Sequence, residues 1–342
     1  MYKSLFINTT AASNWIFRII AEDICREAKK IGLECRMGKL DEYSGEDIVY
    51  HMWWRLAVPV KGAKVNSVFI THTDDALKEY DLKNMKDSFD SYICMSPEDA
   101  KFLCNLGFDS SKVVGIDLPA RNTYIRPISV GIFSACYPDG RKNEQWLLDY
   151  CEEDENAKLL NFVFIGSGWY KIVSRLEELS ISFEWHNVPR TLPYEYQYQQ
   201  TILKDVDYYM YMGMDGGAMG TLDAYAMGCQ LIVTNDGFHQ TIPNIDYTFD
   251  TRVGFIEQMK LIAKRQRDKI DFYAQRTAEN YVKMLVHVWN GEQFDYPSIK
   301  SDLKSSYSSV LEKRRKNYFK IGYNRIMPFI KSWIRRVQFK QQ

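Results

Sequence analysis

The sequence lacks features that would mark several classes of protein. Its 44 basic and 44 acidic residues cancel, so the total charge argues neither for nor against a nucleic-acid partner. No window approaches the roughly 20 consecutive apolar residues that a membrane-spanning helix needs. The N-terminal apolar run "LFI" is also too short for a signal peptide. These absences favour a cytoplasmic protein that does not cross a membrane.

Cysteine is present, but not in a pattern that binds metal or forms disulfides. The seven cysteines are an odd number, no two have Cys-x-x-Cys spacing, and several lie in apolar runs such as "YICM" and "GCQLIV". We therefore predict reduced thiols in the protein core. No group of histidine, cysteine and carboxylate residues has metal-ligand spacing either, so no metal is expected.

Charge is unevenly distributed along the chain. The segment from Lys313 to Gln342 has ten basic and no acidic residues, which leaves a net charge of minus ten on the rest. Apolar residues near one helical face of this tail are Phe319, Ile326, Ile330, Trp333 and Val337. A basic amphipathic tail predicts contact between residues 313–342 and an anionic membrane surface. The alternative is a final helix that packs back on the first domain.

Strand and helix patterns alternate in two successive runs. Apolar strands such as "SLFIN", "DIVYHMWW" and "SVFITH" alternate with helices, one of which Ser96 is expected to cap, up to the junction "LPARNTYIRP". The alternation restarts at "SVGIFSA". Such alternation predicts α/β domains with parallel sheets covered by helices. A hydrophobic content of 46% is enough for packed cores. We predict domains at residues 1–125 and 126–290, followed by C-terminal helices and the tail at 291–342.

One glycine-rich stretch, "MDGGAMGTLDAYAMGCQLIV" at residues 214–233, has a distinctive composition. It follows the strand "VDYYMYM", so it lies where parallel sheets bind ligands. Small residues let a ligand approach the main chain, and a helix that begins near Thr221 directs unpaired N–H groups into the loop. Asp215 and Asp223 would repel phosphate but suit sugar hydroxyls. The stretch predicts a nucleotide-sugar site, and the alternative is a tight strand-to-helix turn with a capping aspartate.

The same stretch resembles the donor segment of retaining glycosyltransferases of the GT-B architecture, family-four (glycosyl transferases group 1) type. Their acid-x7-acid signature, usually two glutamates, is matched in spacing by Asp215 and Asp223. The resemblance implies that the donor phosphates meet the main chain of residues 217–221. Those five positions are Gly217, Ala218, Met219, Gly220 and Thr221.

Other segments resemble the family in the same order along residues 1–285. In "SACYPDGRKNEQ", Lys142 matches the lysine that neutralises the diphosphate. Ser134-Ala135 stand where the family has Gly-Arg, which makes Arg141 a candidate substitute. Gly168 falls in a glycine turn of the donor domain, and Val188 falls in the base-contacting segment. The resemblance covers most of the chain and is sharpest at residues 205–234.

In the first domain, the resemblance implies that His72 lies beside the transferred sugar, where it could donate a hydrogen bond or take part in proton transfer. For His51 we predict packing against Trp53 or Trp54. No pattern assigns a role to His186 or His239. The pair Asp205 and Asp207 precedes a strand, whereas the metal-binding Asp-x-Asp of the other large glycosyltransferase architecture follows one. We therefore predict a structural role for this pair.

Together these features predict two Rossmann-like domains that face each other across a cleft, with a basic helical tail. The resemblance implies a metal-independent, retaining hexosyltransferase for cell-surface polysaccharide or glycolipid synthesis. It would be cytoplasmic and peripheral on the inner membrane. The donor would be a nucleotide diphosphate sugar, with no other cofactor and no nucleic acid partner. The acceptor would be a glycan, which the tail suggests is lipid-linked. Two alternatives stay open: a nucleotide-sugar epimerase on the same fold, and a non-catalytic nucleotide-sugar or glycan-binding protein.

Overall fold

The structure is a computed structural model that describes residues 2–10, 16–71, 76–121, 124–188, 194–214 and 216–292. The chain divides into two compact units. The first unit combines Met1–Arg121 with Arg276–Gln342, and the second unit is Asn122–Gln275. The predicted tail at 313–342, together with Asp215 and His72, lies outside the described residues.

The first unit contains a six-stranded, fully parallel sheet. Its strands are β1 (Ser4–Asn8), β2 (Glu34–Gly38), β3 (Ile48–His51), β4 (Val65–Ile70), β5 (Ser91–Cys94) and β6 (Val113–Gly115). They lie in the order β2-β1-β3-β4-β5-β6, with β1 at Leu5 in register with Ile48 of β3. Both faces of β3, β4 and β5 are buried, which explains why these strands are continuous apolar runs instead of alternating ones.

The described α-helices of the first unit are α1 (Ile16–Lys30), α2 (Ala76–Asn84), α3 (Pro97–Asn105) and, from beyond the second unit in the chain, α9 (Ala278–Trp289). Helix α3 begins as the sequence predicts, because the Ser96 hydroxyl accepts a hydrogen bond from the Asp99 amide at 3.1 Å and Pro97 occupies the first turn. Helix α9 packs beside α1. Its Tyr281 hydroxyl lies 3.1 Å from that of Tyr50 in β3, and both side chains are buried.

His51 is a core histidine at the end of β3. It is fully buried, its Nδ1 accepts a hydrogen bond from the Asn8 side-chain amide at 2.9 Å, and its ring meets Phe89 edge-on at 5.5 Å. Burial lowers the pKa of His51 to about 4. The predicted packing role is confirmed, although the neighbouring ring belongs to Phe89 and not to Trp53 or Trp54.

The second unit contains another six-stranded parallel sheet. Its strands are β7 (Ile128–Phe133), β8 (Leu160–Ile165), β9 (Ser182–His186), β10 (Tyr208–Tyr211), β11 (Gln230–Thr234) and β12 (Tyr247–Phe249). The order is β12-β11-β10-β7-β8-β9, so the chain starts in the middle of the sheet, builds one half outward and then returns to build the other half. This is the strand order of a dinucleotide-binding Rossmann fold.

The helices of the second unit are α4 (Gln145–Glu153), α5 (Tyr170–Glu178), α6 (Tyr194–Leu203), α7 (Met219–Ala226) and α8 (Arg252–Gln275). One face of the sheet packs on a core that includes buried side chains of α4, α5 and α8, such as Leu147, Leu176 and Phe255. The other face packs around Tyr209, Leu203 and Ala224. The helices therefore form layers on both sides of the sheet.

The two Rossmann-like units predicted from the sequence are confirmed, and their facing arrangement stays a prediction. One boundary differs, because the predicted second domain ran to residue 290, whereas α9 contributes its buried residues to the first unit. All seven cysteines are free thiols; five of them are buried in the core, whereas Cys104 and Cys136 are only partly buried. Among the described residues, no helix combines the length and the apolar character needed to cross a bilayer.

Candidate functional site

The candidate site lies at the point where the strand order of the second unit reverses, between β7 and β10. These two strands are paired in parallel, with Val130 opposite Tyr208. The chain after β7 leads to one half of the sheet, and the chain after β10 leads to the other half. Adjacent strands whose connections diverge leave a crevice at their carboxyl ends. Residues 134–144 follow β7 and residues 212–218 follow β10, so both predicted phosphate-binding loops border this crevice.

Lys142 is held between two aromatic rings at this crevice. Its Nζ lies 5.0 Å from the ring centroid of Tyr211, the last residue of β10, and 5.4 Å from that of Tyr137. The next residue, Asn143, has a positive φ of 54° and donates a side-chain hydrogen bond to the Met212 carbonyl at 2.9 Å. That bond ties the Lys142 loop to the start of the glycine-rich loop. Within the described part of the chain, Lys142 forms no salt bridge.

Arg141 is placed differently, although it precedes Lys142. Its guanidinium is exposed, binds the Asp139 carboxylate through Nε at 2.9 Å and Nη2 at 2.6 Å, and lies 4.5 Å from the Tyr137 ring centroid. The Arg141 guanidinium lowers the pKa of the Asp139 carboxyl. The charge of Arg141 is therefore already balanced within its own loop, whereas the described residues provide no counter-ion for Lys142.

The segment that follows β11 forms hydrogen bonds to the glycine-rich loop. The Gly216 amide donates to the Asp236 carboxylate at 3.0 Å, and the Gly216 carbonyl accepts from the Phe238 amide at 3.3 Å. Gly216 and Gly217 have φ values of 86° and 101°, which favour glycine. A Cβ on Gly217 would lie 2.7 Å from the Phe238 ring. The loop therefore needs glycine for its backbone conformation and for its packing.

His239 forms hydrogen bonds to the end of β11, to the glycine-rich loop and to the first turn of α7. It is fully buried, and its Nδ1 lies 2.9 Å from the Thr234 carbonyl. A carbonyl only accepts, so Nδ1 carries the proton and Nε2 has the free lone pair. Nε2 then accepts from the Thr221 hydroxyl at 3.1 Å and from the Ala218 amide at 3.4 Å. No pattern in the sequence singles out this histidine.

Helix α7 begins at the loop without a side-chain cap. Its N-cap residue Ala218 has no polar side chain, so the N-cap position supplies no side-chain hydrogen bond to the helix. The Thr221 amide is bonded to the Ala218 carbonyl at 2.9 Å. Of the predicted amides, those of Met219 and Gly220 are the first-turn donors that have no partner among the described residues. A Cβ on Gly220 would lie 2.8 Å from the buried Tyr209 hydroxyl. The uncapped helix start can bind an anion.

The remaining predicted residues lie along the same sheet edge. Gly168 follows β8 with a φ of 91°, and a Cβ there would lie 2.4 Å from the Cys136 carbonyl oxygen. Val188 follows β9 and packs partly buried against the core around Tyr209. Asp223 is half-buried in α7. The structure thus brings Lys142 and the glycine-rich loop together, with Gly168 one strand away and Val188 two strands away.

Of the Asp205 and Asp207 pair, Asp207 has the predicted structural role, and the role of the Asp205 side chain stays a prediction. The Asp207 carboxylate accepts from the Ser129 amide at 2.9 Å and pairs with Arg126. These contacts join the amino ends of β7 and β10, at the opposite edge of the sheet from the crevice. Among the residues that the structure describes, no three histidine, cysteine or acidic side chains are grouped so as to hold a metal ion.

The first unit has a groove of its own. It has a volume of about 540 Å³ and lies between the residues that follow β3 and helix α2. Its lining includes Trp53, Trp54, Leu56 and Met85, and an ion pair between Arg55 and Asp81 at 2.9 Å. The volume falls within the range of small-molecule sites.

No protein-family model matches the sequence, and no curated protein matches it. Among solved structures, the chain is similar to the apo form of the lipopolysaccharide outer core galactosyltransferase WaaB, with 14% identity, 84% of this chain and 99% of that chain covered, and a TM-score of 0.34. It is similar to Anabaena Alr3699/HepE in complex with UDP at 10% identity, with the same coverage and a TM-score of 0.35. It also resembles the catalytic domain of a cholesterol-α-glucosyltransferase from Helicobacter pylori, at 15% identity over 44% of this chain and 99% of that chain, with a TM-score of 0.30. Likenesses of this size do not assign a function.

Proposed function

We propose that the chain is a glycosyltransferase that takes its sugar from a nucleotide diphosphate donor bound to the second unit. One observation carries the proposal. Lys142, without a counter-ion among the described residues, and the uncapped start of α7 border the same crevice, and the Asn143 side chain ties their loops together at 2.9 Å. A lysine and a helix start at a Rossmann crevice form a site for a diphosphate.

In this proposal the second unit stabilises the leaving group. Charge builds up on the nucleoside diphosphate as the bond to the sugar breaks, and a fixed ammonium at Lys142 offsets that charge in the transition state. The Met219 and Gly220 amides would bind the phosphate oxygens, with the dipole of α7 behind them. The Lys142 ammonium lies over the rings of Tyr137 and Tyr211, so it is positioned before the donor binds.

The carboxylates have a separate task, because they repel phosphate. We propose that Asp223 holds the ribose and that Asp215 holds hydroxyls of the donor sugar, with His72 beside the transferred sugar. Arg141 could join Lys142 only after leaving Asp139, so we assign it the smaller share. We propose retention at the anomeric carbon, a hexose as the transferred sugar and no metal ion, since cationic side chains and a helix start take the role of the ion.

For the acceptor, we propose a glycan that binds the first unit at the groove beside Trp54 and Leu56. Its apolar and aromatic lining suits the faces of sugar rings, and the Arg55–Asp81 pair offers hydrogen bonds to hydroxyls. We further propose that this glycan is lipid-linked, and that residues 313–342 bring the protein to the cytoplasmic membrane surface. Such an enzyme would serve cell-surface polysaccharide or glycolipid synthesis.

The test is a binding and turnover experiment on the full chain. A thermal-shift screen of uridine, guanosine and adenosine diphosphates and their sugars should identify the donor, because a ligand of the native state raises the melting temperature. Nucleotide release is then measured with and without glycan acceptors. Lys142→Ala and Asp215→Ala should abolish transfer while the fold is kept. Lys158→Ala is the matched control, because Lys158 is exposed just before β8, at the opposite edge of the sheet. Unchanged transfer in the first two variants, or conversion of the donor sugar without any acceptor, would reject the proposal.

A further inference from the structure

We propose that His239 is a positioning residue that sets the shape of the glycine-rich loop for the donor diphosphate. The inference rests on the proposed function for its purpose, but its geometry stands independently. His239 lies in the short 3-10 helix Gly237–Thr241, which follows β11, and it would not touch the donor itself. Its role is to act through the loop and the first turn of α7.

The imidazole of His239 connects three separate segments. Through Nδ1 it is fixed to the Thr234 carbonyl at the end of β11, at 2.9 Å. Through Nε2 it accepts from the Thr221 hydroxyl inside α7 and from the Ala218 amide just before α7. The ring therefore sets the distance between the end of β11 and the start of the helix. An apolar ring of the same size could not do this, because it would leave buried donors unpaired.

The contacts of His239 also decide which amides remain for a ligand. Nε2 takes the Ala218 amide, and the Thr221 amide is bonded to the Ala218 carbonyl. Met219 and Gly220 follow Ala218 directly, so their N–H groups lie at the helix start that the histidine holds in place. His239 therefore holds the start of α7 in place and leaves the Met219 and Gly220 amides available to a ligand.

His239 and Lys142 both pack against the ring of Tyr211. The imidazole meets the Tyr211 ring at 5.8 Å and the Phe238 ring at 5.0 Å, and Lys142 lies over the same Tyr211 ring at 5.0 Å. A Cβ on Gly217 would lie 3.0 Å from Nε2, so the glycine lets the loop lie close against the imidazole. A change in the orientation of His239 would therefore disturb both the loop and the tyrosine that carries the ammonium.

Two nearly isosteric variants separate this role from general stability. In His239→Gln, a side-chain amide can reach the position of Nε2 and offer an acceptor to Ala218 and Thr221. In His239→Asn, the amide reaches only the position of Nδ1, so the bond to Thr234 is kept and the two acceptor contacts are lost. Each variant is compared with the unmodified full chain by melting temperature, by amide hydrogen exchange of a peptide that covers residues 214–222, and by binding of the nucleoside diphosphate that the unmodified protein prefers.

We expect His239→Asn to weaken nucleoside diphosphate binding by roughly tenfold, as for the loss of one buried hydrogen bond, and to speed exchange in residues 214–222. His239→Gln should bind within about threefold of the unmodified protein, with slow exchange. The inference is overturned if both variants bind and exchange alike, or if binding only follows melting temperature. If His239→Asn does not fold, Thr221→Val removes the hydroxyl contact instead and should speed amide exchange in residues 214–222. Thr221→Ser keeps the hydroxyl and should leave that exchange slow. Equal exchange in the two Thr221 variants again overturns the inference. If the unmodified protein binds no nucleotide, the proposed function fails, while the exchange data still decide the role of His239.

Discussion

Replacing Gly237 by alanine should distort the candidate site more than any comparable glycine substitution in the second unit. Gly237 has a φ of 55°, and a Cβ there would lie 2.1 Å from the Gly216 carbonyl oxygen and 2.4 Å from its Cα. Both contacts involve main-chain atoms, so the glycine-rich loop itself must move by about 1 Å. Left-handed backbone costs alanine roughly 1 kcal/mol, and overpacking adds about 1–3 kcal/mol. We expect a total loss of about 3 kcal/mol in unfolding free energy.

Gly228→Ala is the matched control for this prediction. Gly228 ends α7 with a φ of 81°, but a Cβ there would meet nothing within 4 Å, so only the backbone cost of about 1 kcal/mol applies. Scanning calorimetry of the full chain should show a fall of about 3 °C per kcal/mol in the transition of the second unit. Gly237→Ala should also lose nucleoside diphosphate binding, whereas Gly228→Ala should keep it. Equal losses of stability, or full binding by Gly237→Ala, would refute the argument.

Three further predictions concern single contacts. Lys142→Ala should raise the dissociation constant for the nucleoside diphosphate by about 10- to 100-fold. Arg141→Ala should raise it by less than about threefold, because the charge of Arg141 is balanced within its own loop. Titration calorimetry measures both dissociation constants. Gly220→Ala should lower the unfolding free energy by about 1–2 kcal/mol because its Cβ would lie 2.8 Å from the Tyr209 hydroxyl, and adding Tyr209→Phe should restore most of it in calorimetry. His51 has a pKa lowered by burial to about 4, so below pH 6.5 the unfolded chain takes up the proton first. Stability should therefore fall by about 3 kcal/mol between pH 6.5 and pH 4, and the fall should be smaller in His51→Gln.

Each of these predictions has an outcome that contradicts it. A larger effect of Arg141→Ala than of Lys142→Ala would show that the arginine leaves Asp139 and carries the site. Strictly additive effects of Gly220→Ala and Tyr209→Phe would show that the hydroxyl is not the obstacle. An unchanged pH profile in His51→Gln would place the acid sensitivity in other groups.

The fold was predictable where the pattern is local. Continuous apolar runs bounded by turns identified the buried strands, and the cap formed by Ser96 and Asp99 marked the start of α3 correctly. Helix α6 was not predicted, because its tyrosine and glutamine residues give no amphipathic period. The strand predicted to run through Trp54 ends at His51, because the Trp54 indole turns inward and donates to the Thr71 carbonyl at 2.7 Å.

The part of the candidate site that depends on particular residue types in loops was predictable from the sequence. Glycines and a lysine at loop positions pointed to the crevice between β7 and β10, and the structure joins them through Asn143 and Met212. His239 could not be found this way, since its partners lie 18 and 21 residues away and such a contact leaves no periodic signal. The same limit applied to α9, whose partner Tyr50 is 231 residues distant from Tyr281.

The return of α9 to the first unit bears on the order in which the protein folds during translation. The second unit is one continuous stretch, but the core of the first unit includes Tyr281, Leu285 and Trp289, which are synthesised after the whole second unit. At 5–20 residues per second, the ribosome needs about 10–30 s to extend the chain from residue 121 to residue 289. During that interval the second unit can complete its core. During the same interval, the part of α1 that packs against α9 in the finished protein has no partner helix.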